Sequence, residues 1–297
     1  MTAPATSAVE MYAARVDAVL AQRTRLRGPA PAGELFAGLP PNHPLLMTDP
    51  RRPFDATLEA MAGYVQPGDV LVDVGGGGGR MSLPLALRCR EVINVDPSSS
   101  MLAAFEANAQ RAGITNVSSV HADWLDVEPP HGTVALVNHV VYLTRDIVPF
   151  ITKLGATASR RVLLTVASPP PPSRNRPVFQ VCYDEPSEMV PGHVELVNVL
   201  WELGIEPDVQ MLPVMVGGIE PVSSREEAVT VALGQLRGHQ WAFWPLEPAL
   251  EQMARQRIEA NFDALFSAVG EGYLPRWTVP GREVLITWET GTWETGT

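Results

Sequence analysis

Residues 70–80 read VLVDVGGGGGR: an apolar run containing one acid, followed by five consecutive glycines. The apolar run predicts a buried β-strand, and the segment after the glycines predicts a helix. Glycine allows the main chain to turn sharply and allows a ligand to approach the backbone closely. A helix N-terminus adds amide donors and a partial positive charge. The stretch therefore predicts a strand–turn–helix unit that binds a ligand.

Apolar strands alternate with helical segments through most of the chain. The patterns predict strands at 70–74, 91–96, 117–123, 133–142, 160–167, 208–216 and 282–289. They predict helices at 7–27, 54–65, 80–89, 100–113, 192–204, 224–237 and 247–269. The proline-rich stretch at 168–177 is predicted to be neither helix nor central strand, because proline fixes φ and lacks an N–H donor. This alternation is typical of a doubly wound α/β fold, in which helices cover both faces of a parallel sheet.

Composition narrows the function further. The 297 residues are 45% hydrophobic and 19% charged, with a formal net charge of −11. Such a charge repels nucleic acids and anionic membranes, so neither is an expected partner. The two cysteines, Cys89 and Cys182, lack C-x-x-C spacing, which favours a reducing compartment. Without an export signal or a long apolar run, we expect a cytoplasmic protein, and the histidine spacing gives no reason to expect a metal.

Three known ligand-binding patterns can be tested against the glycines. The sequence GGGGGRMS has no lysine, so it does not form a phosphate-binding P-loop. A dinucleotide-binding G-x-G-x-x-G pattern fits only marginally, with serine in its last position. The pattern acid-x-G-x-G-x-G is complete and uses Asp73, Gly75, Gly77 and Gly79.

With these residues the chain resembles the class I S-adenosylmethionine-dependent methyltransferases, and more loosely a little-characterised bacterial group of them. The resemblance rests on three acids in the expected order, each after or near the end of a predicted strand. It implies that Asp96 binds the ribose hydroxyls of S-adenosylmethionine and that Asp123 binds the adenine amino group. It also implies that Met101 lies against the adenine ring.

The sequence NHVVY at the end of the fourth predicted strand corresponds to the part of the family site that faces the methionine moiety and the acceptor. His139 is the candidate general base, although a hydrogen-bonded core histidine is an equally good interpretation. Tyr142 is the candidate acceptor-binding residue, with packing as its alternative. The candidate cofactor-binding residues are Asp73, Gly75, Gly77, Gly79, Asp96, Pro97, Met101, Asp123, Trp124 and Asn138.

The resemblance implies a mostly parallel seven-stranded sheet with an antiparallel C-terminal strand. We expect an N-terminal helical cap and connector at 1–60, a Rossmann-like cofactor-binding core at 61–220, and inserted helices at 221–281 as a candidate acceptor lid. The last strand and a tail, in which WETGT is repeated, occupy 282–297. Three aromatic residues within 239–248 are candidates for the lid itself.

The expected function is in-line transfer of the methyl group of S-adenosylmethionine to a small-molecule acceptor. The absence of an NPPY-type tetrapeptide after the fourth strand and the acidic net charge both favour a small acceptor over a polymer. Two alternatives stay open: a catalytically silent S-adenosylmethionine-binding sensor or scaffold, and an NAD(P)-dependent oxidoreductase. The sequence leaves the acceptor, the methylated atom and the oligomeric state open, with a homodimer among the options.

Overall fold

The computed structural model describes residues 6–29, 39, 43, 46–214, 221–237, 246–277 and 280–291. Residues 239–245 of the predicted aromatic lid lie outside the described residues. The second WETGT copy, 293–297, also lies outside them.

A seven-stranded sheet forms the centre of the protein. Its strands are β1 (Val70–Val74), β2 (Glu91–Asp96), β3 (Val117–His121), β4 (Gly132–Asn138), β5 (Ala158–Ser168), β6 (Asp208–Val214) and β9 (Arg282–Glu289). Their order is β3-β2-β1-β4-β5-β9-β6, and β9 runs antiparallel to both neighbours whereas the other pairs are parallel. This confirms the predicted fold class. The strand order reverses beside β1, so a ligand crevice is expected at the carboxyl ends of β1 and β4.

The described part of the chain contains ten α-helices. They are α1 (Ala8–Arg27), α2 (Ala56–Ala62), α3 (Ser82–Ala86), α4 (Ser99–Ala112), α5 (Ile147–Thr157), α6 (Arg176–Tyr183), α7 (His193–Glu202), α8 (Arg225–Arg237), α9 (Pro248–Ala260) and α10 (Phe262–Leu265). Side chains satisfy backbone donors where helices begin: Ser98 accepts from Met101 N, and Ser224 accepts from Glu227 N. No helix among the described residues is long and apolar enough to cross a membrane.

Successive side chains of each strand face opposite layers of helices. Val72 and Val74 of β1 pack in one cluster with residues of α1, α5 and α7. Leu71 of β1 packs in the other cluster with residues of α2, α3 and α4. Burial on both faces explains why all five residues of β1 are buried.

Helix α1 packs beside the turn that follows β4. Its Tyr12 hydroxyl donates a 2.6 Å hydrogen bond to the carbonyl oxygen of Val141, and Asp17 accepts a hydrogen bond from Arg145. Burial raises the pKa of Tyr12, with smaller contributions from Glu195 and Tyr142, so this hydroxyl stays protonated and acts as a donor. The N-terminal helix therefore supports a segment next to the expected crevice.

A separate hydrophobic core lies beyond the carboxyl edge of the sheet. It joins α6 to α8, α9, α10 and the hairpin of β7 (Phe266–Val269) and β8 (Gly272–Pro275). We call residues 221–277 the inserted unit. The chain leaves the sheet after Val214 of β6 and returns at Arg282 of β9, and these two residues are paired. Because β9 is antiparallel, both ends of the insertion are at the carboxyl edge of the parallel strands.

The prediction of one continuous helix over 247–269 is wrong, because this segment contains two helices followed by a strand. Helix α9 ends at Ala260, and Phe266 begins a strand of the β7–β8 hairpin. The Phe266 ring stacks on Phe262 at a centroid distance of 4.7 Å and meets Trp277 edge-on at 5.0 Å. Trp277 follows the hairpin in the chain, so the position of Phe266 depends on a contact that the local sequence pattern does not contain. These aromatic contacts favour the strand over a continued helix.

Two other predicted boundaries also change. The proline-rich stretch contains a 3-10 turn, Pro171–Ser173, and its last two residues begin α6, because proline is tolerated in the first turn of a helix. Strand β4 ends at Asn138 rather than at position 142, and a 3-10 turn, Val141–Leu143, follows. His139 therefore lies after the strand.

Candidate cofactor and acceptor site

The glycine turn begins where β1 ends. Gly75, Gly77 and Gly79 have positive φ angles of 68°, 53° and 79°. The Gly75 N–H donates to the carbonyl oxygen of Val95 at the end of β2, and Gly79 N donates to Gly76 O. Three left-handed residues at alternate positions wind the chain tightly before α3 begins, a conformation that side chains other than glycine adopt rarely.

Three of the glycines also leave no room for a side chain. A Cβ atom at Gly75 would lie 2.6 Å from Val140, and one at Gly79 would lie 2.6 Å from both Leu83 and Phe105. A Cβ at Gly76 would lie 2.2 Å from an oxygen of Asp73. These positions need glycine for packing within the protein, whether or not a ligand binds.

Gly77 differs from these three glycines. The nearest atom to a Cβ at this position is the Met101 sulfur, at 3.7 Å, an ordinary contact distance. Apart from its positive φ, the surrounding protein does not require glycine here. The open space beside Gly77 is therefore where a ligand can approach the main chain.

Asp73 lies beneath the turn and not at its surface. Its side chain is fully buried, and neither carboxylate oxygen has a hydrogen-bond partner among the described residues. Burial raises the pKa of Asp73 to about 7, the nearby Ser82 hydroxyl opposes this rise, and the charge of Asp96 adds to it. The Ser82 hydroxyl itself is outside hydrogen-bond geometry. Asp73 is a structural support of the turn in this conformation.

Asp96 holds the turn from the end of β2. Its carboxylate accepts 2.9 Å hydrogen bonds from the N–H of Gly77 and the N–H of Ser98. The side chain of Asn94 donates to the carbonyl oxygen of Gly77, also at 2.9 Å. One carboxylate therefore connects the glycine turn with the N-terminus of α4, at the place where the sequence analysis expects ribose binding.

A cleft of about 290 Å³ opens beside the turn, at the carboxyl ends of β1 to β4. Its lining residues are Val74, Gly75, Val95, Pro97, Asp123, Trp124, Leu125, Val140, Leu143, Thr144, Arg145, Asp146 and Phe150. Four candidate residues from the sequence analysis, Gly75, Pro97, Asp123 and Trp124, are in this set. Apolar walls with a few polar groups are typical of a small-molecule site.

Trp124 forms a buried wall of this cleft. Its ring meets Phe150 edge-on at 6.4 Å, and the Lys153 ammonium lies 5.2 Å from the ring centroid. The indole N–H is buried and has no hydrogen-bond partner among the described residues. The neighbouring Asp123 is exposed, and its carboxylate accepts from the N–H of Leu125. Trp124 and Asp123 thus bring an aromatic surface and an exposed carboxylate to the cleft.

Two of the predicted site residues, Asn138 and His139, lie at the end of β4, and both form hydrogen bonds to Thr165. The Asn138 side chain accepts a 2.6 Å hydrogen bond from the Thr165 hydroxyl on β5. His139 has a positive φ of 62°, and its N–H donates to the carbonyl oxygen of Thr165. Positive φ is uncommon outside glycine and costs about 1–3 kcal/mol, so surrounding contacts must hold His139 in place.

Those contacts come from Tyr142 and Glu283. The Tyr142 hydroxyl lies 2.8 Å from His139 Nδ1 and accepts a 2.6 Å hydrogen bond from the N–H of Ala167. Burial raises the pKa of Tyr142, so the phenol keeps its proton and donates it to Nδ1. The Nε2 atom then carries the imidazole proton and lies 3.1 Å from Glu283 Oε2, at ion-pair distance but outside hydrogen-bond geometry. Nδ1 of His139 is therefore hydrogen-bonded, and Nε2 faces a carboxylate at ion-pair distance.

Glu283 and Thr165 were not singled out from the sequence. Glu283 is 8% exposed and lies near the start of β9, where it pairs with Ala167 across the antiparallel strands. The one available signal was a glutamate directly before the apolar run of the last predicted strand. Its partner His139 could be identified only once the position of β9 beside β5 was known.

Comparison with known proteins agrees with this architecture. Two solved structures share the fold: the YcgJ protein of Bacillus subtilis, at 15% identity and a TM-score of 0.50, and a candidate methyltransferase of Bacillus halodurans, at 12% and 0.52. The first match covers 78% of this chain and 97% of the other, and the second covers 80% and 98%. At these identities the likeness concerns the fold.

Residues 71–154 match the family model described as a methyltransferase domain. This match, the strand order and the glycine turn all support the resemblance to the class I S-adenosylmethionine-dependent methyltransferases that the sequence analysis describes. An uncharacterised protein of Haemophilus influenzae is 28% identical over 186 residues. That match covers 60% of this chain and 66% of the relative, slightly less than two thirds of its length.

Proposed function

We propose that this protein transfers the methyl group of S-adenosylmethionine to a small-molecule acceptor. One observation carries the proposal: the glycine turn and the Asp96 carboxylate meet at the carboxyl edge of the sheet, with Gly77 N 2.9 Å from Asp96, beside a cleft with apolar walls. Such crevices are where open α/β sheets bind their ligands.

The donor chemistry of the cleft fits S-adenosylmethionine. The carboxylate of Asp96 can accept two hydrogen bonds from a cis-diol, and Asp123 can accept one from an adenine amino group. Trp124 and Met101 supply the apolar surface for the ring, and the indole N–H of Trp124 offers a donor that the protein leaves unused. Asn138 is assigned to the methionine end, beside Gly75 and its contact Val140.

The sulfonium of S-adenosylmethionine supplies an activated methyl group, so the protein has three tasks. It aligns the acceptor with the methyl group, excludes water and, for a hydroxyl or ammonium acceptor, removes a proton. Because Tyr142 already occupies Nδ1 of His139, we assign proton removal to the pair. The phenol oxygen takes the acceptor proton while the phenol proton moves to Nδ1. Glu283 beside Nε2 stabilises the resulting imidazolium.

The acceptor lid stays assigned to the inserted unit. Both ends of this unit are at the carboxyl edge of the sheet, the edge that carries His139 and Tyr142. A net charge of −11 favours a small acceptor over a nucleic acid. A cytoplasmic location stays a prediction, and the two free thiols, Cys89 and Cys182, are consistent with it.

Binding and turnover test the proposal separately. Calorimetry should show that the protein binds S-adenosylmethionine and not NADH, and the reverse result would favour the oxidoreductase alternative. Incubation with methyl-labelled S-adenosylmethionine and a metabolite extract should yield labelled small molecules. Tight binding without label transfer from any extract would favour the silent sensor or scaffold.

A further inference from the structure

Arg174 has a buried donor that no described residue satisfies. It follows the 3-10 turn after β5 and is partly buried. Its Nε donates a 3.1 Å hydrogen bond to the carbonyl oxygen of Pro169, but its Nη2 is buried without a hydrogen-bond partner. None of the ion pairs among the described residues includes Arg174. A buried charged donor without a partner is costly, so an anionic acceptor at this site would stabilise it.

The backbone at Gly281 lies close to the Arg174 guanidinium, and a side chain at this position would collide with it. A Cβ atom at Gly281 would lie 2.5 Å from Nη2 and 2.7 Å from Cζ of Arg174. Glycine at this position therefore allows the planar group to lie directly against the chain as it enters β9. The guanidinium is consequently held between the segment that follows β5 and the segment that precedes β9.

This position is next to the proposed proton-transfer pair. Ala167, which donates to the Tyr142 hydroxyl, pairs with Glu283, and Ser168 pairs with Arg282 one residue from Gly281. The charges of Glu283 and Arg174 both act on the Tyr142 hydroxyl: after burial and the bond from Ala167, Glu283 raises its pKa and Arg174 lowers it. The cation and the carboxylate thus both act electrostatically on the same hydroxyl.

We propose that the methyl acceptor carries an anionic oxygen group, a carboxylate or a phosphate, which binds to Nη2 of Arg174. The proposal rests on the proposed function, because it assigns this anion to the molecule that is methylated. A guanidinium matches the planar oxygen pair of either group and anchors it at a fixed distance from Tyr142. The reacting atom of the acceptor is then presented to the proton-transfer pair.

The first test uses the whole protein with methyl-labelled S-adenosylmethionine. A bacterial metabolite extract is separated at neutral pH into a fraction that a strong anion exchanger retains and a fraction that flows through. Label transfer is expected with the retained fraction. Transfer confined to the flow-through would overturn this inference and leave the proposed function intact.

Three variants test the residue itself. Arg174→Ala should raise the KM for the retained acceptor by about 10- to 100-fold, as expected for a lost hydrogen bond to a charged group, with S-adenosylmethionine affinity unchanged. Gly281→Ala keeps the charge but displaces the guanidinium, and it should raise the same KM. Arg176→Ala removes an exposed arginine two residues away and should leave the KM unchanged. Equal KM values in Arg174→Ala and Arg176→Ala would contradict the assignment.

A direct binding test covers the case in which neither fraction of the extract is methylated. Phosphate and acetate are titrated separately, at constant ionic strength, into protein saturated with S-adenosylhomocysteine. One or both should raise the Tm of the wild type and of Arg176→Ala but not of Arg174→Ala, and the more effective anion identifies the group. No shift in the wild type, or an equal shift in Arg174→Ala, would overturn the inference. Failure to bind S-adenosylmethionine would instead count against the proposed function.

Discussion

Asp96 accepts two backbone N–H bonds, from Gly77 and Ser98, before any ligand is considered. A carboxylate can accept further bonds, so ribose hydroxyls can join without displacing them. We expect Asp96→Ala to weaken S-adenosylmethionine binding by about 1.5–3 kcal/mol, measured by calorimetry on folded protein. The exposed Asp126 is a matched control, and Asp126→Ala should bind normally. Unchanged affinity in Asp96→Ala would remove Asp96 from the cofactor site.

The Tyr142–His139 pair makes a second prediction at the scale of single residues. Tyr142→Phe keeps the ring but removes the hydroxyl that lies 2.8 Å from His139 Nδ1. We expect Tyr142→Phe and His139→Ala each to lower the turnover of a hydroxyl or amine acceptor by about 10²–10⁴-fold. S-adenosylmethionine affinity, measured in parallel, should stay the same. Full turnover in either variant would leave acceptor alignment, without this proton relay, as the mechanism.

Asp73 should make stability depend on pH in an unusual direction. Its pKa in the folded protein is about 7, above its usual value of 3.8. The stabilisation from the protonated acid is therefore complete below about pH 4 and is lost as the pH rises through 7. Asn94, its neighbour on β2, has a buried side-chain oxygen without a hydrogen-bond partner among the described residues. A Cβ atom placed at Gly76 would lie 2.2 Å from Asp73 Oδ2 and 2.6 Å from this Asn94 oxygen, so the two oxygens are close neighbours. A protonated Asp73 can donate to that oxygen.

Asp73→Asn supplies a permanent donor and should remove this pH dependence. The variant should gain stability over the wild type as the pH rises from 4 to 8, by about 1.4 kcal/mol per unit of the pKa difference. Urea unfolding at several pH values measures it. Asp69 is the opposite control: burial tends to raise its pKa, but bonds from Gln66, Thr133 and Arg160 lower it overall. Asp69→Asn should therefore lose stability at neutral pH and lose less at low pH, and parallel curves for both variants would contradict the argument.

At the scale of elements, different glycines of the turn have different roles: Gly79 is needed for packing, and Gly77 leaves space for a ligand. Gly79→Ala places a Cβ 2.6 Å from Leu83 and Phe105, whereas Gly77→Ala meets only Met101 at 3.7 Å. Gly113 caps α4 with φ of 65° and nothing within 4 Å, so Gly113→Ala measures backbone strain alone, about 1–2 kcal/mol. We expect Gly77→Ala to match Gly113→Ala in stability and Gly79→Ala to lose more.

Two of these variants, Gly77→Ala and Gly113→Ala, should also differ in S-adenosylmethionine binding. In calorimetry Gly77→Ala should weaken S-adenosylmethionine binding, because its methyl group occupies the space beside the main chain. Gly113→Ala should bind normally. Normal binding by Gly77→Ala would make the whole turn a packing feature.

These elements also show what a sequence can and cannot predict. The glycine turn, β1 and β2 follow from local composition. The left-handed conformation of His139 was not predictable, because it depends on Thr165 and Tyr142 in the folded protein. Glu283 becomes a neighbour of His139 only through antiparallel pairing at the far end of the chain. Local patterns specify elements, whereas the acid–base partners depend on topology.

At the scale of the whole molecule, the protein has two hydrophobic systems with different tasks. The sheet and its helices form the cofactor cleft, and the inserted unit with α6 forms a core of its own. Chain segments at the carboxyl edge connect the two, beside Arg174 and Glu283. Damage to the inserted core should therefore affect the acceptor and spare the cofactor.

Ile258→Ala and Leu136→Ala test this division. Both side chains are fully buried, the first in the inserted core and the second in the sheet. Each truncation should cost about 2–5 kcal/mol in its own region. For Ile258→Ala we expect S-adenosylmethionine affinity within about twofold of the wild type, because the cleft lies outside that region, and a large loss of methyl transfer. Leu136→Ala should lower affinity and turnover together. Calorimetry, methyl transfer and hydrogen exchange on both variants provide the comparison, and loss of cofactor binding in Ile258→Ala would mean that the two systems unfold as one.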